Sequence, residues 1–225
     1  MKSDVAETPQ YSALGGVDLS MNELAYRRFK QALVTLSYKP GDYLNTAQVM
    51  AELQMGRTPV NQAIHRLENE GLLQIIPRKG VMVSPLSLDD ALELIEVRLA
   101  NEILSVKLAC KRISKQDIVA LTAVNEEMNI AVQERNRNRM VSLDLHFHQL
   151  IVEISGNLIL KDILSVLHTR SQRFWASSLS KEGHRMEVIE EHRAIITALE
   201  SEDSQAAATA AETHILSFRD ALLRG

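Results

Sequence analysis

Several features that mark common protein classes are scarce or missing in this sequence. There is a single cysteine, Cys110, so an internal disulfide is excluded and a reducing cytoplasm is the expected location. No apolar run approaches the roughly 20 residues that span a bilayer, and residues 1–19 lack the basic-then-apolar order of a signal peptide, so no membrane partner is expected. Hydrophobic residues still make up 45% of the 225, enough for the cores of two domains.

Positive charge is also in short supply. The net charge is −4, which by itself argues against a nucleic-acid partner. The charge is unevenly distributed, however. Residues 20–85 hold eight Lys/Arg and five Asp/Glu, a net +3, whereas residues 86–225 hold 16 and 21, a net −5. Because binding to phosphates depends on local charge, the segment 20–85 remains a candidate for DNA binding.

Residues 45–73 carry the pattern of two short amphipathic helices joined by a tight turn. Apolar residues recur at helical spacing in both segments: Val49, Met50 and Leu53 in the first, and Val60, Ala63, Ile64 and Leu67 in the second, which is predicted to begin at Pro59. Two such helices pack as a crossed pair, the helix-turn-helix unit that fits a DNA major groove. The candidate DNA contacts form the recognition face of the second helix: Arg57, Thr58, Asn61, Gln62, His65 and Arg66.

The flanking segments complete a winged helix. Residues 20–23 have capping-box spacing and open a helix with apolar residues through Leu36, and residues 39–42 form a turn. Residues 72–76 and 81–83 predict two strands joined by a turn at 77–80. Arg78 and Lys79 lie at the tip of this turn, where a wing would touch a phosphate or the minor groove; a solvated hairpin tip is the alternative.

From Leu88 onward the pattern is helical and strand signals are absent. Helices are predicted near 88–110, 114–134, 140–155, 158–180 (expected to be broken or bent), 184–201 and 204–223, with residues 135–139 as a polar connector. The fold class is therefore mainly α. We predict a flexible tail (1–19), a winged helix-turn-helix (20–85) and an all-helical bundle of about six helices (86–225).

Four metal-binding side chains are placed to meet inside this bundle. Asp144 and His148 are four residues apart and share one helix face, while His192 and His214 lie on or beside the apolar stripes of two later helices. One carboxylate and three imidazoles suit a divalent transition metal; zinc is favoured, and nickel or manganese also fits. For each histidine the alternative is a hydrogen-bonded core residue. We call Asp144, His148, His192 and His214 the metal quartet.

At this point the sequence resembles a known family. Residues 57–60, 63–67 and 70–72 resemble the DNA-binding domain of GntR-family bacterial transcription regulators, and 77–80 with 84–86 resemble its wing and linker. Residues 96–98, 144–148, 155–157, 191–192 and His214 resemble the helical effector domain of the family's FadR branch, the FCD domain. The resemblance covers roughly residues 20–222. It implies a metal on the quartet and argues against an acyl-CoA effector, since members that bind acyl-CoA lack these ligands.

The chain departs from the family pattern at three positions. Asn61 and Ala47 stand where arginines contact DNA in relatives, so the operator is expected to differ. Asn61 can still bond an adenine edge. Gln54 occupies a turn position where glycine is usual, so a slightly different turn backbone is expected.

The expected effector is a small carboxylate. Arg98 lies on the first bundle helix, and its family counterpart faces the effector cavity; a guanidinium suits a carboxylate there. Arg170 and Arg173 are further candidates, with a solvated helix face as the alternative. His168 has no partner pattern and receives no role.

Together these features predict a homodimeric repressor, not an enzyme, that binds a pseudo-palindromic double-stranded DNA operator. A carboxylate bound near the metal would release it. Activation instead of repression, and a purely structural metal with the effector bound elsewhere, remain alternatives. So do a metal-dependent hydrolase, which lacks a general base in the His-Glu-x-x-His manner, and an interaction scaffold with a degenerate DNA head.

Overall fold

The fold is described from a computed structural model, in which the described residues are 19–178 and 182–224. The predicted tail thus lies outside the described residues, apart from Leu19. Within these ranges nine helices and three strands follow one another: α1 (Met21–Val34), β1 (Tyr43–Leu44), α2 (Thr46–Leu53), α3 (Arg57–Asn69), β2 (Leu73–Ile76), β3 (Gly80–Val83), α4 (Leu88–Cys110), α5 (Lys115–Gln133), α6 (Arg137–Ser155), α7 (Leu158–Ser178), α8 (Glu182–Glu200) and α9 (Ser204–Leu223). None of these helices is long and apolar enough to cross a membrane.

The segment from α1 to β3 forms a winged helix. Its core is built from the apolar stripes of the three helices and the start of the wing: Phe29, Leu33, Val49, Val60, Leu67, Leu72 and Leu73 are among its buried residues. The sheet has three strands in the order β1-β3-β2, all antiparallel. The prediction of two strands was incomplete, because β1 has only two residues and shows no alternation that a sequence pattern could reveal.

Helix α1 begins where the capping pattern predicts, but only half of the capping box forms. The Ser20 hydroxyl accepts a hydrogen bond from the Glu23 backbone N–H at 3.2 Å. The Glu23 side chain turns away instead and pairs with Arg27 at 2.7 Å and Arg66 at 2.8 Å. The carboxylate thus ties α1 to the recognition helix α3, which matters below for Arg66.

The turn between α2 and α3 keeps the geometry that favours glycine, although glycine is absent. Gln54 has φ +55° and a left-handed conformation at the end of α2. Helix α3 then begins at Arg57, two residues before the predicted start, and Pro59 occupies its first turn, where a missing N–H costs little. Gln54 thus adopts, at an energetic cost, the left-handed conformation that glycine adopts freely, and the expected difference of the turn backbone from that of relatives stays a prediction.

Helices α4–α9 form the bundle, and their bounds lie within three residues of the predicted ones. Helix α7 is one uninterrupted helix from Leu158 to Ser178, so the break that the sequence suggested does not occur within this range. The predicted connector 135–139 is shorter than expected. Asn136 caps α6 by accepting a hydrogen bond from the Arg139 N–H at 3.1 Å, so residues 137–139 are helical. Helix α4 packs against α6, α7, α8 and α9 and so occupies the centre. Polar residues that α4 turns toward its neighbours are consequently buried.

We expect Gln54→Gly to raise the free energy of unfolding by about 0.5–1 kcal/mol, because glycine adopts positive φ without steric cost. Urea denaturation followed by tyrosine fluorescence suits the test, since all four tyrosines precede Asn45. The matched control is Ala51→Gly, at an exposed helical position of α2, which should lose about 1 kcal/mol. Equal destabilisation by both changes would contradict the assigned backbone conformation.

Candidate metal centre and DNA-binding face

The metal quartet comes together in the middle of the bundle. Asp144 and His148 project from α6, His192 from α8 and His214 from α9, and all four are buried. One ligand atom of each lies within 4.8 Å of all the others. The His148 Nε2 lies 3.1 Å from His214 Nε2, and Asp144 Oδ1 lies 3.7 Å from His192 Nε2 and 4.0 Å from His148 Nε2.

Two carboxylates hold the imidazoles from behind. Glu191 Oε2 lies 2.8 Å from His214 Nδ1, and Glu102 Oε1 lies 3.4 Å from His148 Nδ1. A proton held on Nδ1 by a carboxylate leaves Nε2 as a lone pair, which is the form a metal binds. Burial lowers the pKa of His148 to about 4, so this ring is neutral at pH 7.

His192 shows the clearest sign of an unmet partner. It is fully buried, its ring stacks on Phe147 at 3.9 Å, and neither ring nitrogen has a hydrogen-bond partner among the described residues. Burial, with His214 and His148 nearby, holds the pKa of His192 well below its usual range. A neutral, buried imidazole whose two nitrogens make no hydrogen bond to the described residues costs folding free energy unless another group binds it.

The donor set fits a divalent metal. Metal–nitrogen bonds are about 2.0–2.1 Å long, so two nitrogens on one ion lie about 2.9–3.4 Å apart at angles between 90° and 109°. The 3.1 Å between the Nε2 atoms of His148 and His214 falls in this range. Without a cation or a proton between them, the two lone pairs would face each other. Buried His, Asp and Glu groupings of this kind are what such a site needs.

A narrow cavity adjoins the quartet. Its walls come from α4, α6, α7, α8 and α9: Arg98, Asp144, Leu145, His148, His168, Ser171, Gln172, Trp175, Val188, His214 and Phe218. Its volume is about 20 Å³, the space of about one water molecule. A carboxylate with several heavy atoms therefore enters only if some of these walls move.

Arg98 lies where the sequence predicted, on the cavity wall. Its Nη2 is 3.1 Å from His148 Nε2, and its Nε donates to Glu102 Oε1 at 3.1 Å. His168 was given no role, yet it is buried and lies 2.6 Å from the same Glu102 oxygen. Burial opposes ionisation of Glu102, but His148 and His168 hold the pKa of its carboxyl well below the usual range.

Sequence reasoning missed Glu102 of α4 and three cavity-wall residues of α7: Ser171, Gln172 and Trp175. The signal for Glu102 was present, because a charged pair at i and i+4, Arg98 with Glu102, interrupts the apolar pattern of α4. Ser171 gave no signal. Its hydroxyl is buried and has no hydrogen-bond partner among the described residues.

Arg170 and Arg173 do not line the cavity. Arg170 Nε donates to the backbone carbonyl of Glu70 at 2.9 Å, and Arg173 Nη2 donates to the carbonyl of Ser84. Both residues lie on a face of α7 turned toward the winged helix, so their predicted place in the effector site is corrected.

The recognition face is exposed on α3, as predicted, and Arg78 and Lys79 are exposed at the wing tip. Arg66 is an exception in its bonding. Its Nη1 pairs with Glu23 at 2.8 Å and its guanidinium lies 3.4 Å above the Tyr26 ring. Contact of Arg66 with DNA would have to compete with these bonds. Arg57 is therefore the arginine of this face with the fewest competing bonds.

Comparison with known proteins agrees with both halves of this description. Residues 22–83 match the family model described as bacterial regulatory proteins, gntR family, and residues 93–217 match that of the FCD domain. The chain is 28% identical over 185 residues to the uncharacterized HTH-type transcriptional regulator YdhC of Bacillus subtilis, covering 81% of this chain and 82% of that protein. It is 25% identical to the HTH-type transcriptional repressor RspR of Escherichia coli, covering 87% and 86%. The solved structure of E. coli McbR/YncC shares the fold, with a TM-score of 0.84 at 21% identity over 92% of this chain and 98% of that one.

We expect His192→Leu to raise the free energy of unfolding of chelator-treated protein by about 1 kcal/mol, because it removes two unpaired buried nitrogens. Saturating zinc should reverse the order, since only the wild type gains stability from binding. Thermal unfolding with and without zinc measures both. The control His146→Leu changes an exposed histidine on α6 and should leave both values within about 0.5 kcal/mol. A variant less stable than wild type in chelator would count against this account.

Proposed function

The chain belongs to the GntR family of bacterial transcription regulators and carries an FCD domain, and from this we propose that it is a metal-dependent, effector-controlled repressor. The matched families and relatives are transcription regulators, not enzymes, which overturns the hydrolase alternative. The observation that carries the proposal is the convergence of the metal quartet in a bundle that contacts a winged helix. Residues 20–85 would bind DNA, and residues 86–225 would bind the effector and a second copy of the chain.

The quartet would hold a divalent transition metal, with zinc as the first choice. Such an ion supplies coordination positions at which a carboxylate can replace water. Arg98 would then give up its bond to His148 and donate to the carboxylate, while Glu102 keeps the guanidinium in place from behind. Ser171 offers an unpaired hydroxyl to the same ligand, and Trp175 and Phe218 give the cavity an apolar side.

A homodimer would present two recognition helices to the two halves of a pseudo-palindromic operator. Repression is proposed over activation because the relative RspR is named a repressor. Arg57, Thr58, Asn61, Gln62 and His65 would read or grip the major groove, with Arg66 once it is released from Glu23. Arg78 and Lys79 would contact phosphates from the wing.

We expect Arg57→Ala to weaken binding to DNA from the neighbourhood of the protein's own gene by about fivefold or more, and to lower the salt slope by about one unit. Fluorescence anisotropy at several salt concentrations measures both. The control Lys115→Ala removes an exposed cation from the start of α5 in the bundle and should leave affinity unchanged. If the wild type binds none of these fragments, the scaffold alternative gains instead.

We expect one or more small carboxylates to raise the unfolding midpoint of zinc-loaded protein by about 5–10 °C at a hundredfold excess over Kd. His148→Ala should abolish the shift by removing a metal ligand. Arg98→Met should keep the stabilisation by zinc but lose that by the carboxylate. Arg112→Met, whose guanidinium binds a carbonyl elsewhere in the bundle, is the control and should keep both. Carboxylate shifts that persist after chelation would favour a purely structural metal.

A further inference from the structure

Two faces of helix α7 contact different parts of the molecule. Residues 168, 171, 172 and 175 share one face at helical spacing and line the cavity beside the metal quartet. Residues 170 and 173 lie on another face, three apart, and donate hydrogen bonds to backbone carbonyls of the winged helix. A single rigid element therefore touches both the candidate effector site and the DNA-binding segment.

Arg170 donates a hydrogen bond to the C-terminal end of the recognition helix α3. Its acceptor, the Glu70 carbonyl, belongs to the C-cap of α3, where the helix dipole favours a cation. Gly71 follows with φ +77°, and a Cβ built on it would collide with the Arg170 guanidinium. The Glu70 side chain in turn accepts from Tyr26 at 2.6 Å and Lys30 at 2.9 Å of α1. Holding this carbonyl therefore holds the α1–α3 pair.

Arg173 grips the base of the wing. It donates to the carbonyl of Ser84, which follows β3; the Ser84 N–H in turn donates to the carbonyl of Leu72, the residue before β2, at 3.0 Å. The Arg173 side chain is buried, and no carboxylate partner or acceptor for its Nε occurs among the described residues. Burial lowers the pKa of Arg173 to about 10. A buried cation held by one carbonyl oxygen is only partly compensated for the water it has lost.

We propose that Arg170 and Arg173 are positioning residues through which α7 transmits the state of the cavity to the DNA-binding segment. This inference rests on the proposed function, because it assumes that a ligand in the cavity regulates DNA affinity. The cavity has room for about one water molecule, so a larger ligand must displace its walls, α7 among them. Since α7 is a continuous helix, a displacement on one face moves both guanidiniums on the other.

The partial compensation of Arg173 makes this contact easy to release. A ligand shifts an equilibrium only by its differential affinity for the two states, so a contact that is nearly balanced responds where a strong one would not. Apolar packing also links α7 to the winged helix. Leu36, between α1 and β1, and Leu86, after β3, pack on the bundle cluster that includes Phe174 and Trp175 of α7.

The test compares the zinc dependence of DNA affinity in wild type, Arg170→Met, Arg173→Met and the double variant. Zinc alone is the probe. Zinc on His148 Nε2 would replace the bond from Arg98, whose partner Glu102 also binds His168 of α7, so zinc perturbs the contacts of α7 in the cavity. Each protein is the full chain. Anisotropy gives DNA affinity in zinc and in chelator, and competition with a zinc indicator gives zinc affinity. In the wild type we expect zinc to change DNA affinity by roughly 5- to 150-fold. In the double variant the ratio of DNA affinities with zinc and with chelator should approach one. Its zinc affinity, measured without DNA, should stay within about twofold of the wild-type value measured in the same way. Arg112→Met, an arginine bound to a carbonyl within the bundle, should keep the wild-type ratio.

Two results would overturn the proposal. One is a double variant whose DNA affinity falls equally with zinc and with chelator, so that the ratio is unchanged; the arginines would then only brace the interface. The other is a wild type that binds zinc without any change in DNA affinity. If zinc does not bind, the metal site of the proposed function fails instead. Val188→Phe, a change in the cavity wall, then replaces zinc as the perturbation. The proposal holds if Val188→Phe changes DNA affinity in the wild-type background and leaves it unchanged in the double variant, and it fails if the change is the same in both.

Discussion

Two imidazole nitrogens facing each other at 3.1 Å, the Nε2 atoms of His148 and His214, set the condition that the centre of the bundle must satisfy. The carboxylates of Glu102 and Glu191 lie behind the two rings and favour protons on their Nδ1 atoms. If both rings carry their protons there, the Nε2 lone pairs repel unless a cation lies near them; a proton on either Nε2 would instead join the two rings by a hydrogen bond. The Arg98 guanidinium, with Nη2 3.1 Å from His148 Nε2, is that cation for His148. The same demand is what a divalent metal would meet.

Burying such a polar centre lowers the free energy of unfolding, and the apolar packing around it offsets part of that loss. Separate apolar clusters flank it, one built around Phe147, Leu121 and Ile151 and another around Trp175, Met140 and Phe218. They hold the helices at fixed distances, so that the ligand atoms converge without a ligand to gather them. The stability of the bundle comes from these clusters, while the polar centre trades stability for binding.

The sequence predicted the helices well, because capping residues such as Ser87 and Ser114 and long apolar stripes are local signals. It also predicted the quartet: the Asp144–His148 spacing is local, His192 and His214 were placed by the apolar stripes of their helices, and the family resemblance supported the set. What it could not predict depended on contacts between distant segments. Glu102 approaches His168 across 66 residues, and Arg170 approaches Glu70 across 100. No periodicity within one helix distinguishes an arginine that faces a cavity from one that faces a neighbouring domain.

The marginal contacts of α7 agree with the energetics of regulation. Moving a two-state equilibrium from 1:99 to 99:1 requires a ligand to prefer one state by about 5.5 kcal/mol, whereas couplings between sites are typically about 1–3 kcal/mol. Two domain arrangements that respond to one small ligand must therefore lie within a few kcal/mol of each other. A buried arginine with a full set of carboxylate partners would hold one arrangement too firmly. Arg173 is buried, and the Ser84 carbonyl is its one hydrogen-bond acceptor among the described residues, so it keeps the interface ordered and the alternative arrangement accessible.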